Sequence, residues 1–67
     1  MNFSKILKEL REEHNYTQNY VAQVLGIRQS SYNKYESEKA RPEYENLVKL
    51  SKLYDVTVDY LLENEQV

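Results

Sequence analysis

The chain has 67 residues, 40% of them hydrophobic, and a formal net charge of −2 at pH 7. A chain this short forms one small domain, and we expect residues 1–67 to fold as a single unit with a frayed acidic tail at residues 63–67. The absence of cysteine excludes disulfides, thiolate metal sites and cysteine nucleophiles. No apolar run is long enough for a membrane helix or a secretory signal, so the sequence predicts a cytoplasmic protein, and nothing in it calls for a cofactor or a metal.

The charged residues are distributed unevenly along the chain. Residues 1–42 contain seven basic and five acidic side chains, whereas residues 43–67 contain two and six, so the two parts carry +2 and −4. Residues 14–35 contain Arg28 and Lys34 but no acid. Because the local field rather than the total charge steers a polyanion, the net negative charge does not exclude nucleic-acid binding.

The sequence predicts an all-α fold of five helices. The whole chain has one Gly and one Pro, and no alternating strand pattern is present. We expect the first helix at about residues 3–14. Its apolar residues recur at the helical spacing i, i+3, i+4 and i+7, at Phe3, Ile6, Leu7 and Leu10.

Capping residues mark the other helices. Thr17 is a favoured N-cap for the second helix and Thr57 for the fifth. The third helix is expected to end near Ser37, and Pro42 favours a helix start just beyond a loop at residues 38–42. The residues of these four helices that are expected to face the core are Val21, Val24, Leu25, Ile27, Tyr32, Tyr35, Leu47, Leu50, Leu53, Tyr54, Val58, Leu61 and Leu62.

Residues 17–37 predict two short helices joined by a tight turn. Ala22 and Gly26 are four residues apart, which suits a small residue where two helices approach closely and a glycine where the turn needs a positive φ. Apolar residues give each short helix an inward face. This pattern is typical of a helix-turn-helix, which places its second helix in the DNA major groove.

The wider segment, residues 7–62, resembles the Cro and phage-repressor type of helix-turn-helix domain, the Xre family. The resemblance covers about four fifths of the chain. It implies a compact five-helix, lambda-repressor-like fold that binds double-stranded DNA and regulates transcription. The matching features, in chain order, are LREE at residues 10–13, Thr17 with Gln18, Ala22, Leu25 with Gly26, YES at residues 35–37, Pro42 and VTVDYLL at residues 56–62.

The chain departs from the family pattern at four places. Asn19 and Tyr20 replace two acids, Glu38 stands where Gly is frequent, and Asp55 stands where Gly or Asn is frequent. Arg28 replaces the usual Ser or Thr and has no side-chain acceptor to cap the third helix, a loss of about 1 kcal/mol. The long side chain of Arg28 could instead contact a phosphate or a guanine. Alternatively, Arg28 is an ordinary surface residue.

The outer face of the third helix suits contact with base edges. At 100° per residue, Tyr32 and Tyr35 fall together, and the opposite side is polar, short and free of acids. In the major groove, amide side chains pair with adenine and Arg or Lys with guanine. The alternative is an ordinary solvated helix face. The expected base contacts are Arg28, Gln29, Ser30, Asn33 and Lys34.

Expected phosphate contacts surround this face. Gln18 opens the second helix, where unpaired backbone N–H groups and the helix dipole favour a phosphate, and the resemblance assigns a backbone contact to a glutamine there. Ser37 ends the third helix, and Lys39 and Arg41 lie in the loop after it, where they would fix register without reading sequence. The alternative for these residues is a solvated side chain.

The resemblance also implies a structural ion pair. Members of the family commonly have an Arg and a Glu at the positions of Arg11 and Glu36. Glu36 lies about 40° from the direction of Tyr32 on the helical wheel, so it points partly inward, where an isolated charge is costly. We therefore expect a largely buried, bidentate Arg11–Glu36 ion pair.

Two other classes of function compete with DNA binding. An enzyme is not expected, because Ser30 and Ser31 have only Lys34 within reach and no His to act as a base. A protein-interaction module, such as an antitoxin that holds a toxin through residues 60–67, is the second alternative. Only residues 63–67 follow the expected DNA-binding segment, which favours a stand-alone repressor or Cro-like regulator over this alternative.

One recognition helix makes few base contacts, so we expect a homodimer on a palindromic operator, formed either in solution or only on the DNA. The expected interface lies around Tyr60, Leu61 and Leu62, together with the loop before the fourth helix. The sequence leaves open the operator, the regulated genes and the direction of regulation.

Overall fold

The computed structural model describes residues 2–62, with side chains from Phe3 onward. This part of the chain contains five helices and no strand, so the expected all-α, five-helix fold is confirmed. The expected tail at residues 63–67 lies outside the described residues. The helices are α1 (Asn2–Glu13), α2 (Gln18–Leu25), α3 (Gln29–Glu36), α4 (Tyr44–Tyr54) and α5 (Val58–Leu62).

Two threonines begin helices as predicted. Thr17 has an extended backbone, with φ −84° and ψ 160°, and its hydroxyl accepts a hydrogen bond from the Tyr20 N–H at 3.0 Å. Thr57 accepts from the Tyr60 N–H at 2.9 Å. Each hydroxyl satisfies one of the backbone donors that the first turn of a helix leaves without an intrahelical partner.

Residues with positive φ follow four of the helices. Gly26 ends α2 with φ 73°, as its place in the predicted turn requires. Asn15 after α1, Glu38 after α3 and Asp55 after α4 have φ of 58°, 66° and 55°. Glu38 and Asp55 are the two departures from the usual Gly or Asn. The left-handed conformation costs roughly 1–2 kcal/mol for most residues other than glycine, so the chain adopts the family's turn geometry with less suitable residues.

All five helices contribute residues to the core, and α1 and α4 pack against the two helices of the helix-turn-helix, α3 and α2. α1 packs against α3 and α5, whereas α4 packs against α2 and α5. α2 and α3 also pack against each other. No described helix has the length and apolarity needed to cross a bilayer. The buried apolar side chains are Phe3, Ile6, Leu7, Leu10, Val21, Ala22, Leu25, Tyr32, Tyr35, Leu50, Tyr54 and Leu61.

Two expectations about individual side chains are wrong. Val24 was expected to face inward but is 37% exposed. Val21, Leu25 and Ala22 occupy an arc of about 100° on α2, and Val24 lies about 60° beyond its edge. Leu61 was expected at a dimer interface, but it is fully buried at 0% exposure. It is the inward residue of a five-residue helix and belongs to the core, so it cannot also contact a partner.

Candidate nucleic-acid interface

The residues expected to contact bases share one exposed surface. Tyr32 and Tyr35 are buried beneath α3. On the opposite side, the helix presents polar side chains that are all exposed. We call these residues the outer face of α3: Gln29, Ser30, Asn33, Lys34 and Ser37, with Arg28 at its start.

The loop after α3 places the two expected phosphate-binding cations differently. The backbone N–H groups of Lys39 and Ala40 donate to the Lys34 carbonyl at 2.9 and 3.2 Å, so the loop folds back on the end of α3 and keeps Lys39 beside the outer face. Arg41 instead lines a small apolar groove with Phe3, Pro42, Leu47 and Leu62. Lys39 is therefore the loop cation that the backbone ties to α3.

The Arg11–Glu36 ion pair expected from the sequence is present. Arg11 Nε donates to Glu36 Oε2 at 2.7 Å, and Arg11 Nη2 donates to Glu36 Oε1 at 3.1 Å, so the pair is bidentate. The side chains are 14% and 4% exposed. Arg11 Nη1 also donates to the Tyr16 carbonyl at 2.9 Å, which ties the connection between α1 and α2 to the same guanidinium.

Glu36 accepts four hydrogen bonds from three helices. Besides the two from Arg11 on α1, Gln18 Nε2 on α2 donates to Oε1 at 3.1 Å, and the Tyr32 hydroxyl on α3 donates to Oε2. Burial alone would raise the pKa of Glu36, but hydrogen bonds from Arg11, Tyr32 and Gln18 outweigh it and hold the pKa below its ordinary value. The hydrogen bond to Glu36 likewise raises the pKa of Arg11. The carboxylate is therefore ionised at neutral pH and fixes α1, α2 and α3 together.

The hydroxyls of the buried residues Tyr32 and Tyr54 differ in their hydrogen bonding. Burial and the hydrogen bond to Glu36 raise the pKa of Tyr32. Burial is the main cause of the raised pKa of Tyr54. The Tyr54 hydroxyl is buried without a hydrogen-bond partner among the described residues. Its ring packs against the rings of His14 and Tyr16, at centroid distances of 5.0 and 6.1 Å, so Tyr54 contributes through packing.

Gln18 has a different environment from the one expected of a phosphate-binding side chain. Its Nε2 donates to Glu36 Oε1 at 3.1 Å and to Asn33 Oδ1 at 3.4 Å. An amide nitrogen carries two hydrogens, and both are used in these contacts. The side chain could donate to a phosphate only by breaking one of them. The backbone N–H groups in the first turn of α2 remain the donors at this position.

The ion pair also determines the charge of the surface. Glu36 is the only acid in residues 14–37. Its carboxylate is buried and paired with Arg11, so this stretch exposes no negative side chain. Arg28 and Lys34 then set the sign of the field over the outer face of α3.

The start of α3 has no side-chain cap, as the replacement of Ser or Thr by Arg28 predicts. Arg28 has an extended backbone, with φ −77° and ψ 153°, and makes no capping hydrogen bond. Its carbonyl accepts from the N–H groups of Ser31 and Tyr32 at 3.1 and 3.0 Å. The backbone N–H groups of Gln29 and Ser30 are therefore not capped by the Arg28 side chain. They point along the helix axis, out of the N-terminal end of α3.

Sequence reasoning missed two polar groups that support the site. Tyr32 is expected from the sequence only to face the core, yet its hydroxyl also donates to Glu36 Oε2. Ser4, buried at 3% exposure, donates to the Tyr35 carbonyl at 2.7 Å and joins α1 to the last turn of α3. The helical wheel gave no signal for Ser4, because it lies about 60° beyond Leu7, outside the arc of apolar residues on α1. No group of three or more His, Cys, Asp or Glu among the described residues could hold a metal.

Comparison with known proteins defines the class. A family model described as helix-turn-helix matches residues 7–61. The chain belongs to this helix-turn-helix family, and the resemblance to Cro and phage repressors is confirmed.

The curated relatives are regulators of similar type. The chain is 46% identical over 56 residues to an uncharacterized HTH-type transcriptional regulator, YobD, of Bacillus subtilis (strain 168), covering 84% of this chain and 50% of YobD. It is 40% identical to the HTH-type transcriptional regulator ImmR of the same strain, covering 100% of this chain and 53% of ImmR. The cryptic phage CTXphi transcriptional repressor RstR of Vibrio cholerae is 38% identical over 61 residues, 91% of this chain and 54% of RstR. The chain spans about half the length of these relatives, and no solved structure matches it significantly.

Proposed function

We propose that this chain binds double-stranded DNA in a sequence-specific manner and represses transcription by occupying its operator. The observation that carries the proposal is the outer face of α3, which is exposed, polar and free of accessible carboxylates. A helix of this kind fits the major groove, because its short polar side chains can approach base edges. ImmR, a transcriptional regulator, and RstR, a transcriptional repressor, are similar to this chain and support the same function.

The base contacts belong to residues along the outer face of α3. Gln29 lies in the first turn, and its amide can donate and accept at once, which adenine matches in the major groove. Lys34 lies more than a turn further along and can reach a guanine or a phosphate. Ser30 is short and lets the backbone approach the DNA, Asn33 adds an amide, and Arg28 extends from the uncapped end of the helix.

Phosphate contacts fix the position of the domain on the duplex. The uncommitted donors at the start of α2 are the backbone N–H groups of Gln18 and Asn19, which suit a phosphate oxygen. Ser37 and Lys39 lie at the other end of α3, and Arg41 follows in the same loop. These contacts supply affinity that does not depend on sequence.

A homodimer on a palindromic operator completes the proposal, because a single α3 offers few base contacts. With Leu61 in the core, the interface is assigned to Tyr60, which is 43% exposed, and to the half-buried Leu62. Leu62 borders the apolar groove that Phe3 and Pro42 also line. A second copy covering this groove would bury its apolar walls.

Selection of bound sequences from a random duplex DNA pool tests the proposal. We expect the wild-type protein to enrich a two-fold symmetric site. The cations expected to contact that site are Arg28, Lys34, Lys39 and Arg41. Two copies supply eight of them, so the slope of log affinity against log salt concentration should be no steeper than about −7. A variant with Lys34→Ala and Lys39→Ala should have a shallower slope, by about one for each lost contact. Lys8→Ala, an exposed cation on α1, is the matched control and should leave the slope unchanged.

Two outcomes would contradict the proposal. If no sequence is enriched, the protein does not read DNA through α3. If affinity for DNA stays flat between low and physiological salt, the phosphate contacts are absent, and a protein-interaction module of the antitoxin type becomes the better interpretation.

A further inference from the structure

We propose that Glu38 limits the affinity of the domain for DNA, because its negative side chain lies beside the phosphates that Ser37 and Lys39 contact. The inference rests on the proposed function and adds an opposing charge to the same surface. It follows from three observations: the exposure of Glu38, its left-handed backbone and the hydrogen bonds that hold the loop against α3.

The loop after α3 determines where Glu38 lies. The Ser37 N–H donates to the Asn33 carbonyl at 2.9 Å, and the Lys39 N–H donates to the Lys34 carbonyl at 2.9 Å. Glu38 lies between these two anchored residues and has φ 66°, a left-handed conformation that turns the chain back on the end of the helix. The backbone on both sides of Glu38 is therefore tied to the last turn of α3.

Glu38 is the acid that this surface leaves exposed. Residues 14–41 contain two acids, and the other one, Glu36, is buried and paired with Arg11. The Cα atoms of Ser37 and Glu38 are roughly 3.8 Å apart, so a phosphate bound by Ser37 lies on the order of 10 Å from the Glu38 carboxylate, which is about the Debye length at 0.1 M salt. Like charges at this separation repel at low salt, and the repulsion does not depend on the base sequence.

A second acid has the same backbone conformation at a different place in the fold. Asp55 is exposed and has φ 55°, but it follows α4, which packs mainly against α2 and α5. All of the expected DNA contacts lie at or before Arg41 in the chain. Removal of either acid changes the net charge by the same amount, so Asp55 separates the local effect of a charge from its effect on the whole molecule.

Titration of duplex DNA with charge-removing variants tests the proposal. Glu38→Gln should bind the selected operator and scrambled DNA about 2- to 30-fold more tightly at low salt, the range for one exposed charge interaction in each of two copies. The gain should shrink as the salt concentration rises, because salt screens charges at this separation. Asp55→Asn is the matched control and should leave both affinities within about 2-fold of wild type.

Glycine variants separate the charge of Glu38 from its backbone conformation. Glu38→Gly removes the charge and also relieves the left-handed backbone, a gain that the greater freedom of glycine in the unfolded chain partly offsets. In urea denaturation, its unfolding equilibrium constant should be about 2- to 10-fold lower than that of Glu38→Gln. Its DNA affinity should equal that of Glu38→Gln, because the charge limits binding. Asp55→Gly should gain similar stability over Asp55→Asn without a gain in affinity.

Three outcomes would overturn the inference. The first is an affinity of Glu38→Gln at low salt that is no higher than that of wild type. The second is an equal gain for Asp55→Asn, which would assign the effect to net charge. The third is a gain for Glu38→Gly that Glu38→Gln lacks, which would assign the effect to the backbone. Failure of the wild type and every variant to bind any duplex would contradict the proposed function as well, whereas wild-type binding without a gain for Glu38→Gln contradicts this inference alone.

Discussion

The two sides of α3 use the same kinds of polar group in opposite ways. On the inner side, Tyr32 and Glu36 direct their polar atoms to partners within the protein, and Glu36 alone accepts four hydrogen bonds. On the outer face, Gln29 and Lys34 are exposed and have no such partner among the described residues. One side of this helix therefore maintains the fold, and the other is available to bind. Substitutions on the two sides should separate stability from DNA binding.

The largest effect is expected from Glu36→Gln on the inner side. The variant leaves the guanidinium of Arg11 buried without its counter-charge, which should lower the free energy of unfolding by about 3 kcal/mol. Urea denaturation measures the loss. Glu9→Gln changes an exposed acid on α1 and should shift the value by no more than about 0.5 kcal/mol. A loss below about 1 kcal/mol for Glu36→Gln would show that the Arg11–Glu36 ion pair stabilises the fold no more than a solvent-exposed ion pair does.

Acid should weaken the inner side through the same carboxylate. The pKa of Glu36 is lowered in the folded protein from an ordinary value of 4.5. As pH falls below that value, the unfolded chain takes up the proton first. The stability contributed by Glu36 is thus complete above the ordinary pKa and is lost as pH falls through the lowered one. Denaturation curves from pH 7 to pH 2 should show a smaller acid-dependent loss in Glu36→Gln than in wild type. Parallel losses in the two proteins would contradict this.

The two buried tyrosines provide a matched test of the inner hydrogen bonds. Tyr32→Phe removes a donor to a charged carboxylate and should cost about 1.5–3 kcal/mol of unfolding free energy. Tyr54→Phe removes a buried hydroxyl without a partner and should cost nothing or stabilise the fold by up to about 1 kcal/mol. Both variants keep the ring, so thermal and urea denaturation compare the hydroxyls alone. Equal losses for the two would show that the hydrogen bond from Tyr32 to Glu36 contributes no more to stability than the unpartnered hydroxyl of Tyr54.

On the outer face, Gln29→Ala should affect binding alone. We expect a loss of about 1–3 kcal/mol per half-site on the selected operator, a flattened preference at one base pair, and an unfolding free energy within about 0.5 kcal/mol of wild type. Lys39→Ala should instead weaken binding to the operator and to scrambled DNA alike. Titrations on both DNAs make the comparison. Equal losses on the two DNAs for Gln29→Ala would remove it from the base-reading residues.

The smallest effect is expected from substitution of Arg28, the N-cap residue of α3, which affects both stability and the DNA-facing surface. Arg28→Ser supplies the missing N-cap and should raise the unfolding free energy by about 1 kcal/mol. The same change removes a cation from the DNA-facing surface, so affinity should fall and the salt slope should become shallower. Opposite signs for stability and affinity are the expected result. A variant that is more stable and binds as well as wild type would show that Arg28 is a plain surface residue.

The sequence by itself determined the local features of this protein. Helix spacing and the caps at Thr17 and Thr57 depend on residues a few positions apart, which is why five helices and the glycine turn could be predicted. The Arg11–Glu36 pair followed from resemblance together with the helical wheel. The positive φ at Glu38 and Asp55 matches positions where the chain departs from the usual glycine, so that signal was also present in the sequence.

Only the tertiary structure decided which groups meet across helices. The Ser4 hydroxyl and both hydrogens of Gln18 find their partners on residues 15 to 31 positions away, and no spacing rule specifies such contacts. The burial of Leu61 and the exposure of Val24 likewise depend on how much of the surface of each short helix is covered by the neighbouring helices. Helix periodicity reports the direction of a side chain on its own helix, whereas hydrogen bonds and burial depend on the positions of the others.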